Sequence, residues 1–209
     1  IGTYSLFMYN YQGDSIVHFS SNENEHKLGR VRVILNDNKG RLWLGTTKGL
    51  FLYDIDKNSL RHYPYGKTEN YEVLAMAADD NSLWLGTKEY SLLTFDLLTE
   101  KFKPFNLPPE MHDQKNEIYC LFRDDKDDLW AGTSANGIFR FNLKNSSFRH
   151  IYPDKDIELS YRVRKIIKDR KGNIWIGTRA GLYLMNQENE EIYRYAYHQH
   201  LTSRLTDNS

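Results

Sequence analysis

The stretch "RLWLGTTKGLFLYDID", residues 41–56, decides the fold, because the chain repeats it. Close relatives occur at 82–97 ("SLWLGTKEYSLLTFDL"), 128–143 ("DLWAGTSANGIFRFNL") and 173–187 ("NIWIGTRAGLYLMNQ"). The four tryptophans, Trp43, Trp84, Trp130 and Trp175, all open the motif W-x-G-T. They are 41, 46 and 45 residues apart. Ile1-Gly2-Thr3 fits the last three letters of a fifth, earlier copy. Self-similarity at a period of ~40–50 residues marks a repeat architecture, in which each unit buries its apolar faces against its neighbours.

A second marker keeps the same register. Asn10, Asp54, Asp96, Asn142 and Asn186 each close an apolar run. Six residues later stand Ile16, Leu60, Phe102, Phe148 and Ile192, and three beyond those Phe19, Tyr63, Phe105, Ile151 and Tyr195. Each full unit holds four strand-like runs, for example "VRVILND", "RLWLGTT", "GLFLYDI" and "LRHYPY", separated by turn-forming residues. "NDNKGR" and "KDRKGN" suit tight hairpins. Four short strands per repeat predict an all-β chain, a β-propeller of four-stranded blades. The expected division is a partial blade over 1–28, blades over about 29–66, 67–108, 114–153 and 158–197, and an approach to a further blade over 198–209. That arrangement reads as part of a larger ring of about seven blades.

Side chains alternate faces along a strand. Trp43 and Gly45 therefore share one face, as do Trp84 and Gly86, Trp130 and Gly132, and Trp175 and Gly177. A glycine beside an indole lets a second sheet approach closely while the indole fills the remaining gap. Gly49, Gly137 and Gly181, which open the next strand, suit a positive-φ turn. The motif is thus architectural rather than catalytic.

Composition excludes several classes. Lys+Arg and Asp+Glu are both 28, so a basic footprint for DNA or RNA is missing. Mean hydropathy is −0.69 and no apolar run approaches the ~20 residues of a membrane helix, so any membrane link runs through other parts of a parent protein. Cys120, the single cysteine, lies in "IYCLF" and reads as a small buried hydrophobe. There is no Gly-rich phosphate loop, G-x-S-x-G or HExxH. His18, His62 and His150 share one repeat position, so they sit on different blades and cannot converge on one ion. His198 and His200 alone are weak evidence for zinc. "RDDKDDLW" (123–130) lacks the Gly and Glu of a calcium loop and reads as a hairpin turn. No cofactor or metal is expected.

"DNKGRLWLGTTKGL" (37–50) and "DRKGNIWIGTRAGL" (169–182) resemble the two-component-regulator propeller repeat. That resemblance implies a sensor segment of a bacterial hybrid two-component histidine kinase, extracytoplasmic and periplasmic, often responsive to oligosaccharides. The copies depart from the pattern at Ser91, which stands for a glycine, and at Asp128, read here as replacing the turn glycine of the third full copy. Ligand contacts are expected where copies diverge, in the loops between blades and after the Gly-Thr pair. The candidates are Lys48, Lys88, Glu89, Tyr90, Asn136, Arg162, Arg164 and Arg179, with Arg32 equivalent to Arg164 on the inner strand. The other readings are a propeller enzyme resembling streptogramin lyase, with a metal at the channel mouth, and an interaction scaffold. Exposed blade edges would favour self-association or a dimer.

Overall fold

The computed structural model describes residues 6–11, 13–19, 28–37, 39–57, 59–67, 71–89, 91–107, 109, 117–124, 127–134, 136–151, 162–186 and 191–195. Ile1-Gly2-Thr3, Tyr90, His198 and His200 lie outside them. A hairpin, β1 (Leu6–Asn10) with β2 (Ser15–Phe19), precedes four antiparallel four-stranded sheets in a propeller arrangement. Blade one is β3 (Val31–Asn36), β4 (Leu42–Thr46), β5 (Gly49–Asp54) and β6 (Ser59–Tyr63). Blade two is β7 (Val73–Ala78), β8 (Ser82–Thr87), β9 (Leu92–Asp96) and β10 (Lys101–Pro104). Blade three is β11 (Ile118–Arg123), β12 (Asp128–Thr133), β13 (Ile138–Asn142) and β14 (Ser147–Ile151). Blade four is β15 (Val163–Lys168), β16 (Ile174–Thr178), β17 (Gly181–Met185) and β18 (Ile192–Tyr195). Every blade is a simple meander, and the innermost strands β3, β7, β11 and β15 lie side by side in that order.

Three layers of the core lie between blades, and a fourth cluster joins Leu28 to Leu44, Phe51 and Tyr53 on the other face of blade one. Trp43, Leu50 and Tyr63 of blade one pack with Tyr71, Val73, Leu85 and Phe95 of blade two. Trp84 and Leu92 join Ile118, Leu129 and Phe139 of blade three. Cys120, Trp130 and Ile138 join Val163, Ile176 and Tyr183 of blade four. Trp43, Trp84 and Trp130 thus each face the next blade. The glycine two residues on is where that blade comes closest. A Cβ on Gly45 would stand 2.7 Å from Val73, and one on Gly86 2.7 Å from the carbonyl oxygen of Ile118. One on Gly132 would stand 2.5 Å from both Val163 and Cys120.

The threonine of W-x-G-T has a separate task. Thr46 Oγ1 donates to the carbonyl of Gly49 (3.0 Å) and accepts the amide of Lys48 (3.0 Å). Thr133 and Thr178 hold their turns the same way, through Gly137 and Asn136 and through Gly181 and Ala180. Positive φ falls at Gly49, Gly137, Gly181 and, in the copy without glycine, at Ser91 itself (φ 56). At the opposite end of the inner hairpin, Asp37 Oδ1 accepts the amides of Lys39 and Arg41, and Oδ2 accepts Trp43 Nε1 at 2.9 Å. Asp169 does the same for Lys171, Asn173 and Trp175. One aspartate thereby shapes the turn and fixes the indole.

In blade three the residue at the turn-glycine place is Asp127, with φ 62, and not Asp128. Asp128 stands in the strand where Arg41 stands in blade one; it is buried and pairs with Arg140 Nε (2.8 Å) and Asn142 Nδ2 (2.9 Å). Counting four residues rather than three after Asp124 caused the misplacement.

Candidate ligand site at the Gly-Thr end

Two kinds of turn give each blade two chemically different ends. The inner-hairpin turns gather Asp37, Asp79, Asp124 and Asp169, two of them in D-x-x-G, and the next hairpin turns place Asp54 and Asp96 on that side. The other end carries the Gly-Thr turns and the first residues of the inner strands. There, one backbone bond recurs in all four blades and ties the two features together. The amides of Thr47, Lys88, Ser134 and Arg179 donate to the carbonyls of Arg30, Glu72, Glu117 and Arg162.

The register of the inner hairpin also slips at one shared place, between Val31 and Val33, Val73 and Ala75, Ile118 and Cys120, and Val163 and Lys165. The intervening residues are Arg32, Leu74, Tyr119 and Arg164. A bulge re-aims the side chain it carries. These two rows, one residue before each inner strand and one at each bulge, line the Gly-Thr end.

Their side chains touch across blades. Arg32 of blade one pairs with Glu72 of blade two, Nε to Oε1 at 2.7 Å. Lys88 Nζ lies 3.9 Å from the other Glu72 oxygen, and the Glu72 amide donates to Glu89 Oε2 at 2.9 Å. Tyr119 of blade three donates its hydroxyl to Glu117 Oε2 (2.5 Å). Two guanidinium groups of blade four, Arg162 and Arg164, stand over the Tyr119 ring at 4.1 and 5.6 Å. Cation–π geometry of this kind leaves the N–H edges of the guanidinium free to bind. Burial first, and the Glu117 hydrogen bond second, raise the Tyr119 phenol above the ordinary tyrosine range, so it remains a neutral donor.

Of the residues the sequence proposes, Lys88, Glu89, Arg162 and Arg164 enter this cluster, and Arg179 is joined to it through the Arg162 backbone. Lys48 and Asn136 serve chiefly as backbone anchors. Their carbonyls meet His62 Nε2 (3.0 Å) and His150 Nε2 (2.6 Å), and those rings stack on Phe51 and Phe139. The repeat-equivalent histidines of β6 and β14 therefore clamp the Gly-Thr turns. Glu72, Glu117 and Tyr119 were missed. Aligning the inner strands on Val31, Val73, Ile118 and Val163 places them in the same columns as Arg30, Arg32, Arg162 and Arg164, and that was the available signal.

Among the described residues no three His, Cys, Asp or Glu side chains group as a metal site, and no helix is long and apolar enough to cross a membrane. Burial pushes the Cys120 thiol up to about 12, far from the thiolate a nucleophile needs.

Residues 27–48, 113–135 and 158–180 match the family described as two component regulator propeller. The copy between them, over 67–108, lies outside those segments and is the full copy that lacks both turn glycines. A curated protein named Histidine kinase P4, from Formosa agariphila, is 26% identical over 195 residues. Those residues are 88% of this chain and 14% of that protein, so the chain spans about a seventh of its relative. Among solved structures, the extracellular domain of a hybrid two-component system from B. thetaiotaomicron aligns with a TM-score of 0.68 at 21% identity, over 92% of this chain and 30% of that one. PorZ, a surface component of the type-IX secretion system of Porphyromonas gingivalis, aligns with a TM-score of 0.68 at 22% identity, over 93% of this chain and 32% of that one. Both likenesses concern the fold.

Proposed function

We propose that this chain, three segments of which match the two component regulator propeller family, is an extracytoplasmic, periplasmic ligand-sensing segment of a hybrid two-component histidine kinase, and that its ligand is an oligosaccharide. The observation that carries the reading is the polar cluster of the Gly-Thr end. It consists of two cross-blade groups, Arg32 with Glu72 and Tyr119 with Arg162 and Arg164, set where the otherwise uniform copies differ. Forked donors, carboxylate acceptors and a phenol set close together suit the alternating hydroxyls of a sugar. The kinase relative and the extracellular sensor domains that share the fold support the same assignment.

Isothermal calorimetry of the protein against a panel of oligosaccharides tests it. Saturable binding that weakens on Glu72→Gln or Tyr119→Ala is expected. A panel with no saturable member refutes the sensing role.

A further inference from the structure

We infer that the Gly-Thr end of blade four, with Tyr119 beside it, is a subsite for the anionic group of an acidic saccharide, a uronate carboxylate or a sulfate ester. The inference rests on the sensing role proposed above and narrows its ligand.

Charge at the Gly-Thr end differs from blade to blade, although the chain as a whole is neutral. At the Gly-Thr end, blade two brings Lys88 with Glu72 and Glu89, and blade three brings Glu117. Blade four brings Arg162, Arg164 and Arg179 and no carboxylate among its described residues at that end. The carboxylates present are already engaged. Glu72 holds Arg32 and Lys88, and Glu117 holds the Tyr119 hydroxyl. Among the described residues, none of these three cations has an ion-pair partner.

Position makes the three a site rather than a scatter of surface charge. The Arg179 amide donates to the Arg162 carbonyl at 3.3 Å, which sets their side chains at adjoining places. The bulge between Val163 and Lys165 re-aims Arg164, and both Arg162 and Arg164 are gathered over one ring. Two like charges held together on one aromatic face lower the cost of ordering them for a shared anion. Guanidinium edges match the planar oxygens of a carboxylate or sulfate through paired N–H bonds.

Glu117 argues for a sugar rather than a dense polyanion. Its carboxylate lies beside the same ring, so it repels a ligand whose anionic groups are packed side by side, as in a polyphosphate, and accepts bonds from hydroxyl groups. A ligand with one anion per polyhydroxyl ring satisfies both.

Calorimetry of the protein with trigalacturonate, a sulfated chondroitin disaccharide, maltotriose and tripolyphosphate tests the inference. Binding of at least one of the two acidic sugars is expected, falling as salt rises from low to physiological strength. Arg162→Gln with Arg164→Gln should weaken it by about tenfold or more. Lys144→Gln, at the other end of blade three, should leave it unchanged, and unfolding midpoints verify that each variant folds. Maltotriose binding as tightly as the acidic sugars, insensitive to the arginine changes, overturns the inference while the sensing role stands. Tripolyphosphate binding as tightly as the sugars overturns the saccharide assignment. Binding confined to neutral members of a wider panel refutes the acidic subsite alone, and no binding by any member refutes the sensing role with it.

Discussion

Replacing Gly132 by alanine isolates the close approach of blades three and four. The new Cβ would stand 2.5 Å from Cys120 Sγ, 2.5 Å from Val163 Cγ1 and 2.8 Å from Val163 Cβ. Ordinary contacts need about an ångström more, and neither neighbour can turn aside. Val163 is β-branched and buried at the start of an inner strand, and Cys120 is buried in the adjacent strand. Overpacking a dense core costs about 1–3 kcal/mol, and two rigid neighbours place this change at the upper end. Gly132 does not have positive φ, so no backbone strain is added. Loss of unfolded-state freedom returns about 0.4–1 kcal/mol. The net destabilisation is then about 2 kcal/mol, or roughly 4–8 °C in the midpoint for a chain of this size. Gly177→Ala is the matched control. Its Cβ would meet only Lys165, at 3.8 and 3.9 Å among the described residues, so the unfolded-state gain stands alone and the midpoint should hold or rise. Thermal unfolding of both variants, followed by tryptophan fluorescence and circular dichroism, measures the difference. Truncating Val163 to alanine in the Gly132→Ala background should recover part of the loss as a favourable coupling energy. Equal destabilisation by both glycine changes, or a neutral Gly132→Ala, would refute the reading of W-x-G-T as a blade-contact motif.

Further outcomes follow from the turns and the core. Asp169 is held down to about 2, first by the Asn173 side chain and then by Trp175, and its unfolded value is about 3.9. A depressed folded value means stability that is present above about pH 4 and lost as pH falls toward 2; urea midpoints from pH 6 to 2 should show this decline and Asp169→Asn should flatten it. Ser91→Gly relieves a positive-φ serine and should raise the urea midpoint by the equivalent of about 1 kcal/mol. Cys120, buried and pushed up to about 12, should resist thiol reagents at pH 8 in the native protein and react on unfolding; rapid stoichiometric labelling of folded protein would contradict its place between blades.

The division into blades was legible because three independent demands recur at one period. Trp43 needs a facing blade, Gly45 must be small, and Asp54 must close a turn, and each leaves one residue type at one place. Other devices were hidden for a physical reason. The bond from Asp37 to the Trp43 indole joins residues six apart whose side chains meet only after the turn forms. Periodicity records that both recur, without recording that they touch. The bulge at Arg32 and Tyr119 leaves no mark in composition, because an extra residue on a strand looks like any other strand residue. The misplacement of the turn position onto Asp128 has the same root. Asp127 and Asp128 are identical in type, and only φ separates the turn residue from the strand residue.

The polarity of the blades follows from turn chemistry alone. In blades one and four the turn aspartate accepts two amides and the indole N–H, whereas in blade three Trp130 Nε1 is buried without a hydrogen-bond partner and Asp124 binds Lys168; every copy nonetheless keeps an aspartate at the same end. At the Gly-Thr end the threonine hydroxyl and the backbone complete the turn, and the bond from Arg179 to Arg162 or from Lys88 to Glu72 uses main-chain atoms only. Side chains there are not needed to hold the blade. They can change sign from Arg30 to Glu72, or from Leu74 to Tyr119, with the inner hairpin intact. The repeat thus separates what must stay constant from what can vary, and it places the variable residues of successive blades next to one another. A recognition surface assembled from such columns can be altered one blade at a time, which makes the Gly-Thr end the place where ligand specificity is most cheaply changed.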